Sequence, residues 1–142
     1  MTIKDKMKCP CKNCVDKPYN IDGLFLELLE QLEMKVAERG MTVIYLSGLR
    51  CPVYNKIAGG VPDSPHIYGE AEDIRVAGMD LIDLAKLCIE IGFKRIGIYP
   101  NHIHVDVVTP KPSKFWYVKK YGTPIIYSKN INDLDEFLKK VR

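Results

Sequence analysis

The first clear pattern in the chain is a run of apolar residues spaced as on one face of an α-helix. The apolar positions are Leu24, Phe25, Leu28, Leu29, Leu32 and Val36. Because they recur with a period of about 3.6 residues, they predict an amphipathic helix that packs on a core. Asn20 or Asp22 can cap the N-terminus of this helix, and Gly40 can end it.

The middle of the chain alternates between strand and helix patterns. Residues 41–47 are β-branched and aromatic, which predicts a buried strand, and residues 53–60 predict a short helix closed by two glycines. A loop then leads into a second strand at about residues 71–76. Residues 79–92 carry a second amphipathic pattern, so we expect a helix that ends at Gly92.

The last third of the chain is rich in strand patterns. Residues 95–99 and 102–108 predict an antiparallel hairpin joined by the turn at Pro100 and Asn101. Residues 115–120 and 123–128 are expected to form edge strands, and residues 131–142 a short closing helix. Helices before and between strands, followed by a hairpin, predict an α+β fold with helices packed on a largely antiparallel sheet.

Composition and charge fit one ordinary globular domain. The chain has 142 residues, of which 46% are hydrophobic and 27% charged, so we expect a single domain over residues 1–142 with a cysteine-rich segment at 9–14. A net charge of +3, spread along the chain, gives no basic stripe for nucleic acid. No apolar run is long enough for a membrane span, and the N-terminus lacks the apolar core of a signal peptide. We therefore expect a monomer that starts in the cytoplasm.

Alternating residues of the hairpin carry candidate chemistry. In a strand, successive side chains point to opposite faces, so His102, His104 and Asp106 share one face and the valines and isoleucine between them share the other. A catalytic zinc takes three His or carboxylate ligands and leaves one position open. His66, Asp73 and one histidine of the hairpin would make such a set, although each residue by itself is also typical of a surface or hydrogen-bonding role.

Three segments resemble the zinc D-Ala-D-Ala carboxypeptidases and endolysin peptidases. Residues 64–74, SPHIYGEAEDI, match the Ser-x-His-x-x-Gly-x-Ala-x-Asp signature of that family in register. IHVDV, at 103–107, resembles the segment that carries the third ligand, which gives that role to His104. SGLRCPVYN, at 47–55, is similar to the family's Ser-Gly-Tyr-Arg-x-x-x-x-Asn segment, with a leucine in place of the aromatic residue and Arg50 as the arginine.

The resemblance implies a fold, a metal and a substrate. It implies the α+β fold shared with the Hedgehog signalling domain, with one zinc ion held by His66, Asp73 and His104. It also implies hydrolysis of an amide bond in peptidoglycan stem peptides, by a carboxypeptidase or an endolysin-type endopeptidase. Arg50 would bind a carboxylate or stabilise an oxyanion. Ser64 would contact substrate or shape its turn. The protein would then be cytoplasmic until released, or phage-associated.

The resemblance does not assign the general base. Some relatives carry an acid three positions before the last histidine ligand, where this chain has Asn101. We favour His102 as the proton shuttle and Asp106 as a residue that orients a ligand imidazole, but the two roles can be exchanged. A catalytically weak or inactive zinc-containing binding module of the same fold is the alternative function. Glu72 is expected to be exposed to solvent.

The cysteines present a separate pattern. Cys9, Cys11 and Cys14 fall within six residues, and Cys51 directly follows the arginine. These four are candidates for a second, structural metal ion, and the alternatives are a disulfide within the cluster or reduced thiols. Cys88, inside the second amphipathic helix, is expected to be a small buried hydrophobic residue. Trp116 is expected in the core, and a place beside Tyr99 in the wall of a groove is the alternative.

Overall fold

A computed structural model describes residues 2–14, 19–108 and 114–128. Its α-helices are α1 (Ile3–Lys6), α2 (Gly23–Glu38), α3 (Pro52–Ile57) and α4 (Leu81–Ile91), with 3-10 turns at Lys12–Cys14 and Pro65–Tyr68. Its strands are β1 (Val43–Ser47), β2 (Ala71–Val76), β3 (Arg95–Ile98), β4 (Ile103–Asp106), β5 (Lys114–Tyr117) and β6 (Ile126–Ser128). The helix predicted at residues 131–142 lies outside the described residues.

The six strands form one sheet in the order β1-β2-β4-β3-β5-β6. All neighbouring pairs are antiparallel except β3 and β5, which are parallel. The α+β fold with a largely antiparallel sheet is thus confirmed, and the predicted hairpin is β3–β4. The prediction of two edge strands is correct for β6 and wrong for β5, whose Phe115 and Trp116 are buried on opposite faces, as suits an interior strand.

The two long helices cover one face of the sheet and bury the apolar core with it. Asp22 caps α2 by accepting a hydrogen bond from the Phe25 N–H (2.9 Å), and Phe25 packs edge to face on Phe93 with ring centroids 5.7 Å apart. Helix α4 contacts α2 and strands β2, β3 and β4. Met7, which follows the short α1, is also fully buried in this core, so the N-terminal segment is packed against the fold.

Within the described ranges, none of the helices has the length and apolar character needed to cross a membrane.

The register of the strands sorts side chains onto two faces. Asp73 pairs with His104, His104 with Gly97, and Gly97 with Trp116, so one row of polar and aromatic positions crosses β2, β4, β3 and β5. The neighbouring row starts at Glu72 and is otherwise apolar, since it continues through Val105, Ile96 and Phe115. One face therefore carries the candidate site, and the other carries the core.

Glu72 lies on the core face, so the prediction that it is exposed is wrong. Its side chain is completely buried. Burial, together with the negative charge of Asp73 beside it, raises the pKa of Glu72 to about 9, and the Ser47 backbone and Arg50 oppose this rise only in part. The carboxyl group is therefore protonated at neutral pH and can sit among apolar side chains without a counter-charge.

Gly97 provides a test of how the two faces are arranged. A Cβ atom at this position would overlap the indole ring of Trp116. We expect Gly97→Ala to displace that ring and to lower the free energy of unfolding by about 1–3 kcal/mol, as overpacking does. Trp116 is the one tryptophan of the chain, so its fluorescence reports the displacement directly, alongside a thermal melt.

Gly23→Ala is the matched control for this substitution. Gly23 begins α2, and an added methyl group there meets no other atom within 4 Å. Its melting temperature and tryptophan emission should therefore stay close to those of the wild type. Unchanged emission and stability in Gly97→Ala would contradict the described packing of Trp116 over Gly97.

Candidate metal centre

His66 is fixed both through its ring and through its own backbone. Ser64 caps the 3-10 turn and accepts a hydrogen bond from the His66 N–H (3.3 Å). The ring Nδ1 lies 2.7 Å from the carbonyl oxygen of Gly48, and the Arg50 N–H donates to the carbonyl oxygen of His66 (3.0 Å). Because a carbonyl can only accept, Nδ1 carries the hydrogen and Nε2 presents its lone pair.

Asp73 and His104 face each other across the antiparallel pair of β2 and β4. Asp73 Oδ1 lies 3.2 Å from His104 Nδ1 and 3.4 Å from His66 Nε2. The three side chains can each offer one ligand atom such that all three atoms lie within 4.8 Å of one another. The 3-10 turn at Pro65–Tyr68 and strands β2 and β4 therefore bring the three predicted ligands together.

Asp106 lies on the far side of His104 from Asp73. It is completely buried, and its Oδ2 accepts a hydrogen bond from His104 Nε2–H over 2.8 Å. Its other oxygen accepts from the Val108 N–H (3.2 Å), and Arg95 Nε lies 3.7 Å from Oδ2. With Nε2 of His104 occupied in this way, Nδ1 is the nitrogen left to face Asp73. Asp106 is in the position to orient this imidazole, the role favoured for it from the sequence.

Arg50 holds the second oxygen of Asp73. Its Nη2 lies 3.2 Å from Asp73 Oδ2, while Nε donates to the Ser47 hydroxyl (3.0 Å) and Nη1 to the side-chain oxygen of Asn55 (3.3 Å). The guanidinium is thus fixed by three partners, with most of its surface buried. Asp73 is held by Arg50 through one oxygen and turned toward the two histidines with the other.

The electrostatics of the three side chains favour a bound cation. Burial opposes ionisation of Asp73, but hydrogen bonds with His104 and His66 outweigh it and keep the pKa of this carboxyl below its usual range. Burial lowers the pKa of His66, so that imidazole is neutral near pH 7. His104 is also desolvated, yet its hydrogen bonds to Asp106 and Asp73 raise its pKa. The centre thus combines the ionised carboxylate of Asp73 with two imidazoles whose outer nitrogens are already hydrogen-bonded.

The three side chains line a cavity of about 520 Å³. Arg50, Ser64 and His102 also line it, whereas Asp106 does not. His102 stacks on Tyr99 with ring centroids 4.6 Å apart, and its Nδ1 lies 2.8 Å from the side-chain oxygen of Asn101. Both residues considered as general base are thereby placed, with His102 at the cavity and Asp106 behind it.

The sequence does not predict Arg95 and Tyr121 as part of the cavity wall, and it favours the core over a groove for Trp116. Arg95, Trp116 and Tyr121 line the cavity as well. Trp116 is buried, as expected, but on the face of the site, where its ring centroid lies 5.3 Å from that of His104. Trp116 pairs with Gly97 on the next strand and therefore lies on the face of the site. This placement depends on the register of β5 against β3, which the sequence does not reveal.

The four clustered cysteines lie together at the loop that follows β1, which contains Cys51. Their sulfur atoms are within 4.8 Å of one another, and all five cysteines of the chain are free thiols. Cys88 is completely buried in α4, as predicted. The predicted second set is thus assembled as a cluster.

The donor set at the cavity fits zinc. Two imidazole nitrogens and one carboxylate oxygen are the ligand types of a catalytic zinc with one open position. The second ring nitrogen of each histidine donates to an oxygen, as in most protein zinc sites, where this contact fixes the tautomer. His66, Asp73 and His104 are accordingly the residues that would hold the ion.

The family model described as Peptidase M15 matches residues 3–106. This range is well over half of the chain and contains both the cysteine cluster and all three candidate zinc ligands. No curated protein matches the chain.

The contact between Asp106 and His104 can be tested through metal affinity. Asp106→Asn keeps the size of the side chain but replaces a charged acceptor with a neutral one, so we expect zinc affinity to fall about 10- to 100-fold. Competition with a chromogenic chelator measures this change. Glu38→Gln, on the exposed last turn of α2, is the control that should leave affinity unchanged. Wild-type affinity in Asp106→Asn would show that this carboxylate does not support a metal ligand.

Proposed function

Since the chain belongs to the Peptidase M15 family, whose members are zinc-dependent peptidases, we propose that it hydrolyses an amide bond in the stem peptides of peptidoglycan. One observation carries the proposal: the side chains of His66, Asp73 and His104 converge on one point in the wall of an open cavity. When bound there, zinc supplies Lewis acidity that polarises a carbonyl group and lowers the pKa of water. The surrounding residues have the tasks of holding these ligands, binding the substrate and moving protons.

Rigid ligands are the first contribution of the chain. The Gly48 carbonyl oxygen and the Asp106 carboxylate each fix one imidazole, and Arg50 fixes the carboxylate of Asp73. Because each of these contacts is already made, the three ligand side chains are oriented before the ion or the substrate arrives. Ser64 contributes by capping the turn that carries His66, so a contact supports a structural role for its hydroxyl. A substrate-binding role for Ser64 is supported only by its place in the cavity wall.

Proton transfer is assigned to His102. Its ring lies in the cavity wall and is fixed by stacking on Tyr99. If Nδ1–H donates to the Asn101 oxygen, which lies 2.8 Å away, Nε2 is left to accept a proton. Asp106 is less suited to this task because it is completely buried and both of its oxygens are engaged. These contacts support the division of roles favoured from the sequence.

The charge of the cavity supports an anionic peptide as substrate. Arg50 and Arg95 both line it, and arginine binds carboxylates through two parallel N–H groups. Peptidoglycan stem peptides carry free carboxylates, including the terminal one. Tyr99, Trp116 and Tyr121 add aromatic surface on which the backbone or side chains of a peptide can pack. Arg50 is the better placed of the two arginines to meet a carboxylate or an oxyanion near the ligands, since it contacts Asp73 directly.

Digestion of purified peptidoglycan tests the proposal. We expect cleavage that is abolished by a chelator, is restored by zinc, and is lost together with the cavity zinc in His66→Ala and Asp73→Ala. Mass spectrometry of the products identifies the bond, since release of a single terminal amino acid marks a carboxypeptidase and release of longer peptides an endopeptidase. Zinc in the cavity with no cleavage of any stem peptide would refute the peptidase proposal.

His102→Ala separates proton transfer from metal binding. We expect kcat to fall by about 10²- to 10⁴-fold, as for loss of a general acid or base, while the zinc content stays at the wild-type value. Glu38→Gln, on the exposed last turn of α2 and outside the cavity wall, is the control and should keep the wild-type kcat. Unchanged kcat in His102→Ala would move the proton-transfer role to another group.

A binding module of the same fold is the second candidate, and one observation favours it. Position 101 carries an amide, whose oxygen contacts His102 and the Tyr121 hydroxyl, where some relatives carry an acid. Such a module would bind peptidoglycan fragments in a zinc-dependent way and leave them intact. The same digestion, combined with a sedimentation assay on insoluble peptidoglycan, distinguishes the two candidates.

A further inference from the structure

Four cysteine sulfurs form a compact cluster that the proposed peptidase chemistry does not use. Cys11 Sγ lies 3.3 Å from Cys14 Sγ and 3.5 Å from Cys51 Sγ, and Cys9 completes a group whose sulfurs are all within 4.8 Å of one another. Four thiolates around one zinc ion, with Zn–S bonds near 2.3 Å, place sulfurs about 3.8 Å apart in a tetrahedron. Since Cys11 is close to two partners at once, the arrangement is that of a quartet and not of one bonded pair.

Backbone N–H groups already point at two of these sulfurs. The Cys51 N–H donates to Cys9 Sγ and the Tyr54 N–H donates to Cys51 Sγ, each over 3.4 Å. Hydrogen bonds of this kind stabilise thiolates, the form of cysteine that binds metal. Lys8 and Lys12 flank the cluster in sequence, and positive charge in this segment offsets the negative charge that four thiolates leave around a divalent ion.

The segment that carries three of the cysteines is anchored where the fourth one lies. Met7 is buried in the core, and its carbonyl oxygen accepts a hydrogen bond from the Leu49 N–H (2.7 Å). Gly48 permits this close approach, because a Cβ there would come within 2.8 Å of the Met7 carbonyl oxygen. The N-terminal segment and the loop after β1 are thereby held side by side, which brings ligands 40 residues apart in sequence into contact.

We propose that Cys9, Cys11, Cys14 and Cys51 bind a second zinc ion in a closed, structural site, separate from the ion proposed for the cavity. With four protein ligands and no open position, this ion has no part in catalysis. It fastens the N-terminal segment to residues 48–51, the same stretch that supplies the Gly48 carbonyl to His66 and the Arg50 guanidinium to Asp73. The structural ion would therefore hold Gly48 and Arg50, which contact the cavity ligands, in place without touching substrate.

Metal stoichiometry tests the proposal on the full chain, purified under reducing conditions without a chelator. We expect two zinc ions per wild-type chain by elemental mass spectrometry, and one in Cys11→Ser, in Cys14→Ser and in the double variant His66→Ala/Asp73→Ala. Cys88→Ala removes a cysteine outside the cluster and should keep both ions. Cobalt substitution adds a spectroscopic readout, because the thiolate-to-cobalt charge-transfer band should persist in the histidine–aspartate double variant and disappear in the cluster variants.

Alkylation of the native wild-type protein keeps the test decisive if a cluster variant does not fold. We expect the cluster thiols to resist alkylation until a strong chelator is added, with Cys88 protected in both conditions. One zinc per wild-type chain that the cluster variants retain would overturn the proposal, and so would an intact mass showing a disulfide between two of the four cysteines. Two ions per chain without peptidoglycan cleavage would refute only the peptidase proposal.

Discussion

The pairing of β2 with β4 is the constraint on which the candidate site depends. Its register sets Asp73 opposite His104 on one face and Glu72 opposite Val105 on the other. A shift by one residue would exchange the two faces, so the core and the metal ligands are fixed by the same hydrogen bonds. The fold thus cannot bury Ile74 and Ile103 in this register without also bringing Asp73 and His104 together.

The loop after β1 is the second organising feature, because it serves both clusters of ligands. Gly48 accepts from His66, Arg50 contacts Asp73, and Cys51 lies among the other three cysteines. A loop with so many contacts is not free to vary as surface loops usually are. It is held by hydrogen bonds to the N-terminal segment at Met7 and to the turn that carries His66.

Local sequence patterns predicted most of the elements and the ligand set. The 3.6-residue period defined α2 and α4, and alternation in β4 placed His104 and Asp106 on one face, as observed. What could not be predicted depends on contacts between distant segments. The parallel position of β5 beside β3, the burial of Glu72 and the place of Trp116 in the cavity wall all follow from sheet order and register, which leave no local trace. The roles of His102 and Asp106 stayed open for the same reason, since their spacing is alike and only burial separates them.

The sequence separations within the site have a consequence for how the protein acquires it. The contact between Asp73 and His104 spans 31 residues, and that between Cys11 and Cys51 spans 40. Contacts over such separations offset the entropic cost of closing their loops only after the intervening strands have formed. Folding is therefore slower and more cooperative. The cavity ligands come together only after β2 has paired with β4 and the turn that carries His66 has docked beside them. Capture of metal in the cavity should therefore be among the last events of folding.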